Sequence, residues 1–337
     1  MSETNYSPLI DVHHHIIPDV YREGLAEIGI THSGGKSIDP WNVDMSLDFM
    51  DSLHIETAFM SISEPALREV YVQSPEKAKT LARKTNEFMA IAKQKYPDRF
   101  GAFAVLPMPD VEASIEEVKY ALDVLKLDGI GLLSNYGGSF LGDSCFDELM
   151  DILQEYKAVV YVHPSSPDSS IKRPEFVPID FITEFTFNTT RAATNLIYSA
   201  TTERCPDVQF IFSHMGGTLP YLHSRVEFTF PRMEHVRDAM PVSNQVKDRW
   251  AMVEKSISSY IERMWFDTAL NVDPDVLRLT DKIAKEHILF GSDAFFAPRP
   301  VVDKLLSELK SNLSTEEFDK MANQNIKALF PNRKFSI

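Results

Sequence analysis

Only two cysteines, Cys145 and Cys205, occur in the 337 residues. Two cysteines make neither a disulfide framework nor a zinc-finger set, so a reducing compartment is expected. Positive charge is also short: 34 Lys and Arg against 49 Asp and Glu leave a net charge of -15. Nucleic-acid binding needs a basic surface, and this composition argues against it. No stretch approaches the ~20 apolar residues of a membrane span. The opening MSETNYSPLIDVHHH lacks the basic and then apolar order of a secretion signal, so a cytoplasmic protein is the expectation. Repeats, low-complexity tracts and linkers are missing too, which favours one domain over residues 1–337.

What is present is a regular alternation. Short apolar, β-branched runs recur at Leu9–His15, Thr57–Ser63, Phe100–Met108, Gly129–Asn135, Ala158–His163, Val208–His214, Met264–Leu270 and His287–Asp293. Eight near-continuous apolar strands are the number that closes a parallel barrel, so the expected fold is an α/β (β/α)8 TIM barrel. Helical periodicity covers Pro75–Tyr96, Val111–Leu125 behind a cap at Asp110, Phe146–Tyr156, Pro274–Lys285 and Thr315–Leu329, with a further helix near Phe181–Ala200. Two connections, at about 16–46 and 164–207, exceed the usual length. Long loops after barrel strands build or cover an active site.

The sharpest local signal is Asp11-Val12-His13-His14-His15 at the end of the first run. Alternation along a strand sends His13 and His15 to one side and His14 to the other. Two inward imidazoles are half a site for zinc, manganese or a related ion, or else a hydrogen-bonded core pair. Three other strand ends favour the ion. Strand five ends in His163, strand six in His214 and strand eight in Asp293, and all strand ends of such a barrel meet at one mouth. Asp11 suits the orientation of a histidine or the capping of a turn. Asp267, ending strand seven, suits structural support or the lining of the mouth. His54, His223, His235 and His287 read as structural or surface residues, and His32 in the first long loop is open between roles.

The ordered set DVHHH, YVHP, FSHMGGTLP and LFGSD resembles the amidohydrolase superfamily, and more narrowly its decarboxylase branch related to aminocarboxymuconate-semialdehyde decarboxylase. GIGLLSNYGGSFLGD, EFTFNTTRAATNLIYS and HMGGTLPYLHSRVE look like the 6-methylsalicylate decarboxylase subgroup within it. The resemblance implies one divalent metal ion (Zn2+ or Mn2+) held by His13, His15, His163 and Asp293. It implies a catalytic role for His214 and for Asp293. It implies a substrate carboxylate gripped by Arg225, with that arginine in reach across the interface of a homodimer.

Departures from the pattern also inform. Binuclear relatives carry a lysine at the end of strand four, and Gly129-Ile130-Gly131-Leu132-Leu133-Ser134-Asn135 has none. No arginine follows Trp41 in the first loop, which favours a monocarboxylate over a dicarboxylate. Tyr136, Phe187, Phe295 and Phe296 are compatible with a ring-shaped substrate. The expected reaction is non-oxidative decarboxylation of a hydroxylated aromatic acid, needing no organic cofactor because the ring takes up the electrons. A metal-dependent lactone or amide hydrolase would use the same residues, and a catalytically silent metal-binding barrel is the third possibility.

Overall fold

The computed structural model describes residues 6–284 and 286–335. Eight parallel strands form one sheet in sequential order: β1 (Leu9–His15), β2 (Ile55–Ser61), β3 (Phe100–Val105), β4 (Gly129–Leu133), β5 (Val159–His163), β6 (Gln209–Phe212), β7 (Trp265–Asp267) and β8 (Ile288–Leu289). The ring closes through backbone bonds between the segment after β8 and β1. Val12 N donates to Phe290 O, Asp293 N to His13 O, and His15 N to Ala294 O. The expected barrel is therefore the observed one. Several strands stop short of their predicted ends, β3 at Val105 and β8 at Leu289 among them, and Asn135 beyond β4 pairs instead with Phe140 in a small hairpin.

Helices separate the strands, and their starts are written in the sequence. Ser74 caps Pro75–Lys95, with its side chain accepting from Lys77 N and Pro75 at a position that needs no N–H. Asp110 caps Val111–Lys119 as expected. Ser314 and Glu317 form a capping box on Thr315–Asp319. The first long connection holds a short helix (Asp19–Ala26) and a two-stranded hairpin, His32–Ser33 with Lys36–Ser37. A third excursion between β6 and β7, which the sequence reading did not single out, holds helices Leu219–Thr229, Glu234–Ala239, Asn244–Ala251 and Ile257–Ile261. None of the described helices is long and apolar enough to cross a membrane.

Two apolar clusters form the core. The larger fills the space between strands and helices. The smaller fills the barrel: Ile10, Val12, Phe59, Phe103, Tyr161, Ile211 and Leu289 are among its members. Phe330, from the C-terminal segment, stacks on Phe59 with ring centroids 4.9 Å apart and plugs the lower end. Arg333 then pins that segment to Asp128.

One irregularity in β1 decides where the histidines point. Asp11 pairs with Ala58, but the next pairs are His14 with Met60 and His15 with Ser61. Three residues on β1 thus span two on β2, a one-residue bulge. Strict alternation would place Ile10 and Val12 on the face of His14. The extra residue resets the phase, so Ile10 and Val12 fill the lower barrel and His13 and His15 still face inward above them.

Candidate metal centre

His13, His15, His163 and Asp293 come together at the mouth, all buried, with their ligand atoms within 4.8 Å of one another. Each histidine offers Nε2 because its other nitrogen is engaged. His13 Nδ1 donates to Asp267 Oδ2 at 2.9 Å, and His163 Nδ1 donates to the Pro164 carbonyl at 2.8 Å. His15 Nδ1 lies 3.2 Å from Ser61 Oγ. His13 Nε2 and His15 Nε2 face each other at 2.9 Å, and each lies 3.3 Å from Asp293 Oδ1. Converging lone pairs at these distances call for a cation between them.

The local electrostatics make the same demand. Burial opposes charge on His13, yet the neighbouring Asp267 and Asp293 carboxylates raise its pKa to about 10. Burial lowers His15 to about 4, and burial with three neighbouring imidazoles pushes His163 well below the usual histidine range. Burial also works against ionisation of Asp293, but the His13 charge and hydrogen bonds from His13, His15 and His214 hold it well below the usual carboxylate range. A proton on His13 takes the place a metal ion would fill. Three imidazoles and one carboxylate are a fitting donor set for a zinc- or manganese-like ion.

His214 lies on the single turn after β6, with a left-handed φ of 54°. Its Nε2 is 3.6 Å from Asp293 Oδ2, and its buried Nδ1 has no partner among the described residues. Asp267 does more than line the mouth. It holds His13 by its ring, accepts from Tyr161 OH at 3.2 Å, and accepts from the His214 and Ala269 backbone N–H groups at 3.0 Å each. It therefore fixes the His13 tautomer and seats the His214 turn. Gly291 makes room for this, since a Cβ there would sit 2.8 Å from His13 Cβ and 3.0 Å from Asp267 Cγ.

The other sequence candidates lie outside the four-residue cluster. Asp11 bonds the ring of His14, at 3.3 Å, and not that of His13. It also accepts from Ser292 N and Ser292 Oγ, tying β1 to the segment that carries Asp293. His14 continues outward to Ser46 Oγ at 2.7 Å, where the Trp41 indole also donates. Arg225 stands on an exposed helix face, outside this chain's own cavity and with no ion pair among the described residues. Of the four aromatics, only Phe296 lines the cavity. Tyr136 packs on Phe146, Phe295 on His14 and Phe49, and Phe187 is 45% exposed. His32 is exposed and bonds Thr31, His223 bonds Ser258, and His287 stacks on Trp265.

The cavity before the cluster measures about 430 Å³. His163, His214 and Asp293 form its floor, and Phe181, Ile182, Phe185 and Phe296 supply apolar walls. Glu64, unremarked in the sequence, braces it from behind. The buried Glu64 carboxylate accepts from Ser166 N at 2.6 Å and Ser165 Oγ at 3.1 Å, while Ser33 Oγ donates to its backbone carbonyl. Burial pushes the Glu64 pKa up against the pull of those bonds. A lone glutamate before a proline carries no signal of this role; only the approach of three loops creates it.

Comparison with known proteins places this geometry. The chain is 35% identical to the decarboxylase yanB of Aspergillus niger, over 96% of this chain and 87% of that protein. It is 32% identical to the 6-methylsalicylic acid decarboxylase acuB of Aspergillus aculeatus, over 87% and 86%. The 5-carboxyvanillate decarboxylase of Novosphingobium aromaticivorans, solved with manganese and a nitrobenzoic acid, superposes with a TM-score of 0.82 at 20% identity, covering 98% of this chain and 97% of that one. The amidohydrolase family profile matches residues 10–331, and with relatives this similar along nearly its whole length the chain belongs to the amidohydrolase family.

Proposed function

We propose that the protein is a metal-dependent, non-oxidative decarboxylase of a hydroxylated aromatic carboxylic acid of the 6-methylsalicylate type, releasing carbon dioxide and a phenol. The observation that carries this reading is the convergence of three imidazole nitrogens and one carboxylate beside His214, at the floor of a cavity with aromatic walls. The decarboxylases among its relatives supply the reaction class.

The residues divide the work by position. His13, His15, His163 and Asp293 would hold one divalent ion, zinc or manganese; manganese is the ion in the 5-carboxyvanillate decarboxylase structure. When bound, such an ion supplies Lewis acidity toward the carboxylate and the ring hydroxyl. Loss of carbon dioxide directly from a ring would leave an aryl anion, so protonation of the carboxyl-bearing carbon comes first. His214 holds that proton, and Asp293, 3.6 Å away, relays it to the ring. A new C–H bond forms, the C–C bond to the carboxyl group then breaks, and its electron pair restores aromaticity. Phe185 and Phe296 pack the ring and keep water from it.

Assembly is read as a homodimer through the face of Leu219–Thr229 that carries Tyr221, Arg225 and Phe228. The two aromatics are 81% and 86% exposed there. Light scattering on a Phe228→Asp protein tests this face, and a wild-type protein that is monomeric removes it.

The test of function is carbon dioxide release from 6-methylsalicylate, salicylate and dihydroxybenzoates, with metal content measured on the same sample. Metal-dependent release by wild type, with His214→Ala keeping its metal but losing turnover, is the expected result. No release from a fully metallated protein, together with turnover of a lactone or amide, would replace this reading with hydrolysis.

A further inference from the structure

The first long loop returns over the mouth as a hairpin with a Gly34-Gly35 turn, both residues at left-handed φ of 55° and 99°. A tight two-residue hairpin requires such backbone. Space makes the same requirement: a Cβ on Gly34 would lie 2.7 Å from Phe185 Cζ, and one on Gly35 2.6 Å from Ile179 Cγ2. The hairpin therefore sits hard against the cavity wall.

This seat brings Lys36 into the cavity lining with Ser33 and Gly34. Its Nζ donates to the Phe296 carbonyl, and the Phe296 ring in turn packs edge-on to His15 with centroids 5.4 Å apart. The ammonium has no carboxylate partner among the described residues. Of the described residues lining the cavity, Lys36 is the only lysine or arginine, and Asp293 is the only carboxylate. An ammonium has three donors, and the Phe296 carbonyl uses one. A half-buried cation with spare donors, apolar walls and no ion-pair partner among the described residues is an arrangement that an anion completes.

We propose that Lys36 recognises the substrate's carboxylate, its Nζ held in place by the Phe296 carbonyl. Lys36 is thus a cation that this chain supplies to its own cavity, whereas Arg225 lies outside it. The sequence lacks an arginine after Trp41, and the lysine that serves this purpose stands five residues before that tryptophan. The inference rests on the reading of the cavity as the site of an aromatic carboxylate.

The experiment uses the metal-loaded protein and its Lys36→Gln and Lys36→Arg variants. Calorimetry measures binding of 2-methylbenzoate, an anion without the hydroxyl that turnover needs, and of 3-methylphenol, which is neutral. Glutamine keeps a donor toward the Phe296 carbonyl but removes the charge. Loss of one charge-assisted hydrogen bond predicts roughly 10- to 100-fold weaker 2-methylbenzoate binding in Lys36→Gln. Binding of 3-methylphenol should stay within about twofold, metal content should be unchanged, and Lys36→Arg should recover most of the loss. Equal weakening for both ligands would reduce Lys36 to a strap on the hairpin, and no weakening for either would also overturn the proposal. Carbon dioxide release from 6-methylsalicylate is followed in parallel. A wild-type protein that binds the benzoate through Lys36 but releases no carbon dioxide loses the decarboxylase reading and keeps this one. A wild-type protein that binds neither ligand yet releases carbon dioxide loses this proposal and keeps the decarboxylase reading.

Discussion

Replacing Asp267 by Asn changes one oxygen to nitrogen at the point where the metal cluster meets its support. Asp267 is fully buried. Its Oδ1 accepts from the His214 and Ala269 backbone, and its Oδ2 from His13 Nδ1 and Tyr161 OH. An asparagine keeps Oδ1 on the two backbone N–H groups, so the β7 turn survives. Its NH2 then occupies the Oδ2 position and faces His13 Nδ1 as a donor. His13 must turn its Nδ1 lone pair outward and carry its hydrogen on Nε2, the nitrogen that would ligate the ion. Loss of an orienting partner of this kind costs about 10- to 100-fold in metal affinity, or about 1.4–2.7 kcal/mol. The reversed tautomer puts Asp267→Asn at the upper end of that range. A chelator competition titration reads the affinity, and thermal melting checks that the variant is folded. Excess metal should restore part of the carbon dioxide release. A folded Asp267→Asn protein with wild-type metal affinity would refute the tautomer argument and leave Asp267 a passive acceptor.

Two further predictions follow from the same geometry. His13 in the metal-free chain holds its proton up to about pH 10, and an ion must displace that proton. Apparent metal affinity should therefore rise up to tenfold per pH unit from about pH 7 toward 10, with about one proton released per ion in calorimetry across buffers of different ionisation enthalpy; zero release would refute it. Gly35→Ala places a side chain at φ 99° and against Ile179, a strain of about 1–3 kcal/mol. Because the hairpin is local, KM should rise severalfold while Tm stays near wild type, and an unchanged KM would show that the hairpin does not shape the cavity.

The architecture was legible where physics acts along the chain. Apolar runs located eight strands, and capped periodicity located the helices at Pro75–Lys95, Val111–Lys119 and Pro274–Ile283 but not those at Val43–Leu53 or Arg299–Asn312; β1 coincides with its expected span. The clustering of His13, His15, His163 and Asp293 was legible because barrel topology brings strand ends together whatever their separation in sequence. What spacing could not convey is contact across the mouth. Asp267 looks like any strand-end aspartate until His13 is seen 2.9 Å away. The β1 bulge has no residue signature, since Asp11 to His15 would suit a regular strand equally well. The aromatics divide for a related reason, with Phe296 alone of the four expected ones lining the cavity. Phe185 and Phe181 line the cavity because their helix and the turn before it face inward, while Phe187, two residues further along that helix, faces out. Lys36 is an ordinary surface cation by sequence, and only the folded loops bring it to the cavity.

Barrel closure also sets an order of events during synthesis. His13 and His15 lie on the first strand, while Asp293 and the bonds from Val12 to Phe290 and from His15 to Ala294 come from the opposite end of the chain. At translation speeds of 5–20 residues per second, the two histidines leave the ribosome roughly 15–60 s before the carboxylate that completes their cluster. The nascent chain therefore carries an open half-site, able to meet an ion but without the aspartate or the walls that would retain it. The lower end waits longer still, because Phe330 and Arg333 emerge after the last strand. Metal retention and barrel stability are in this sense late and simultaneous acquisitions, reached when the last strand and the segment after it join the first and not built up strand by strand.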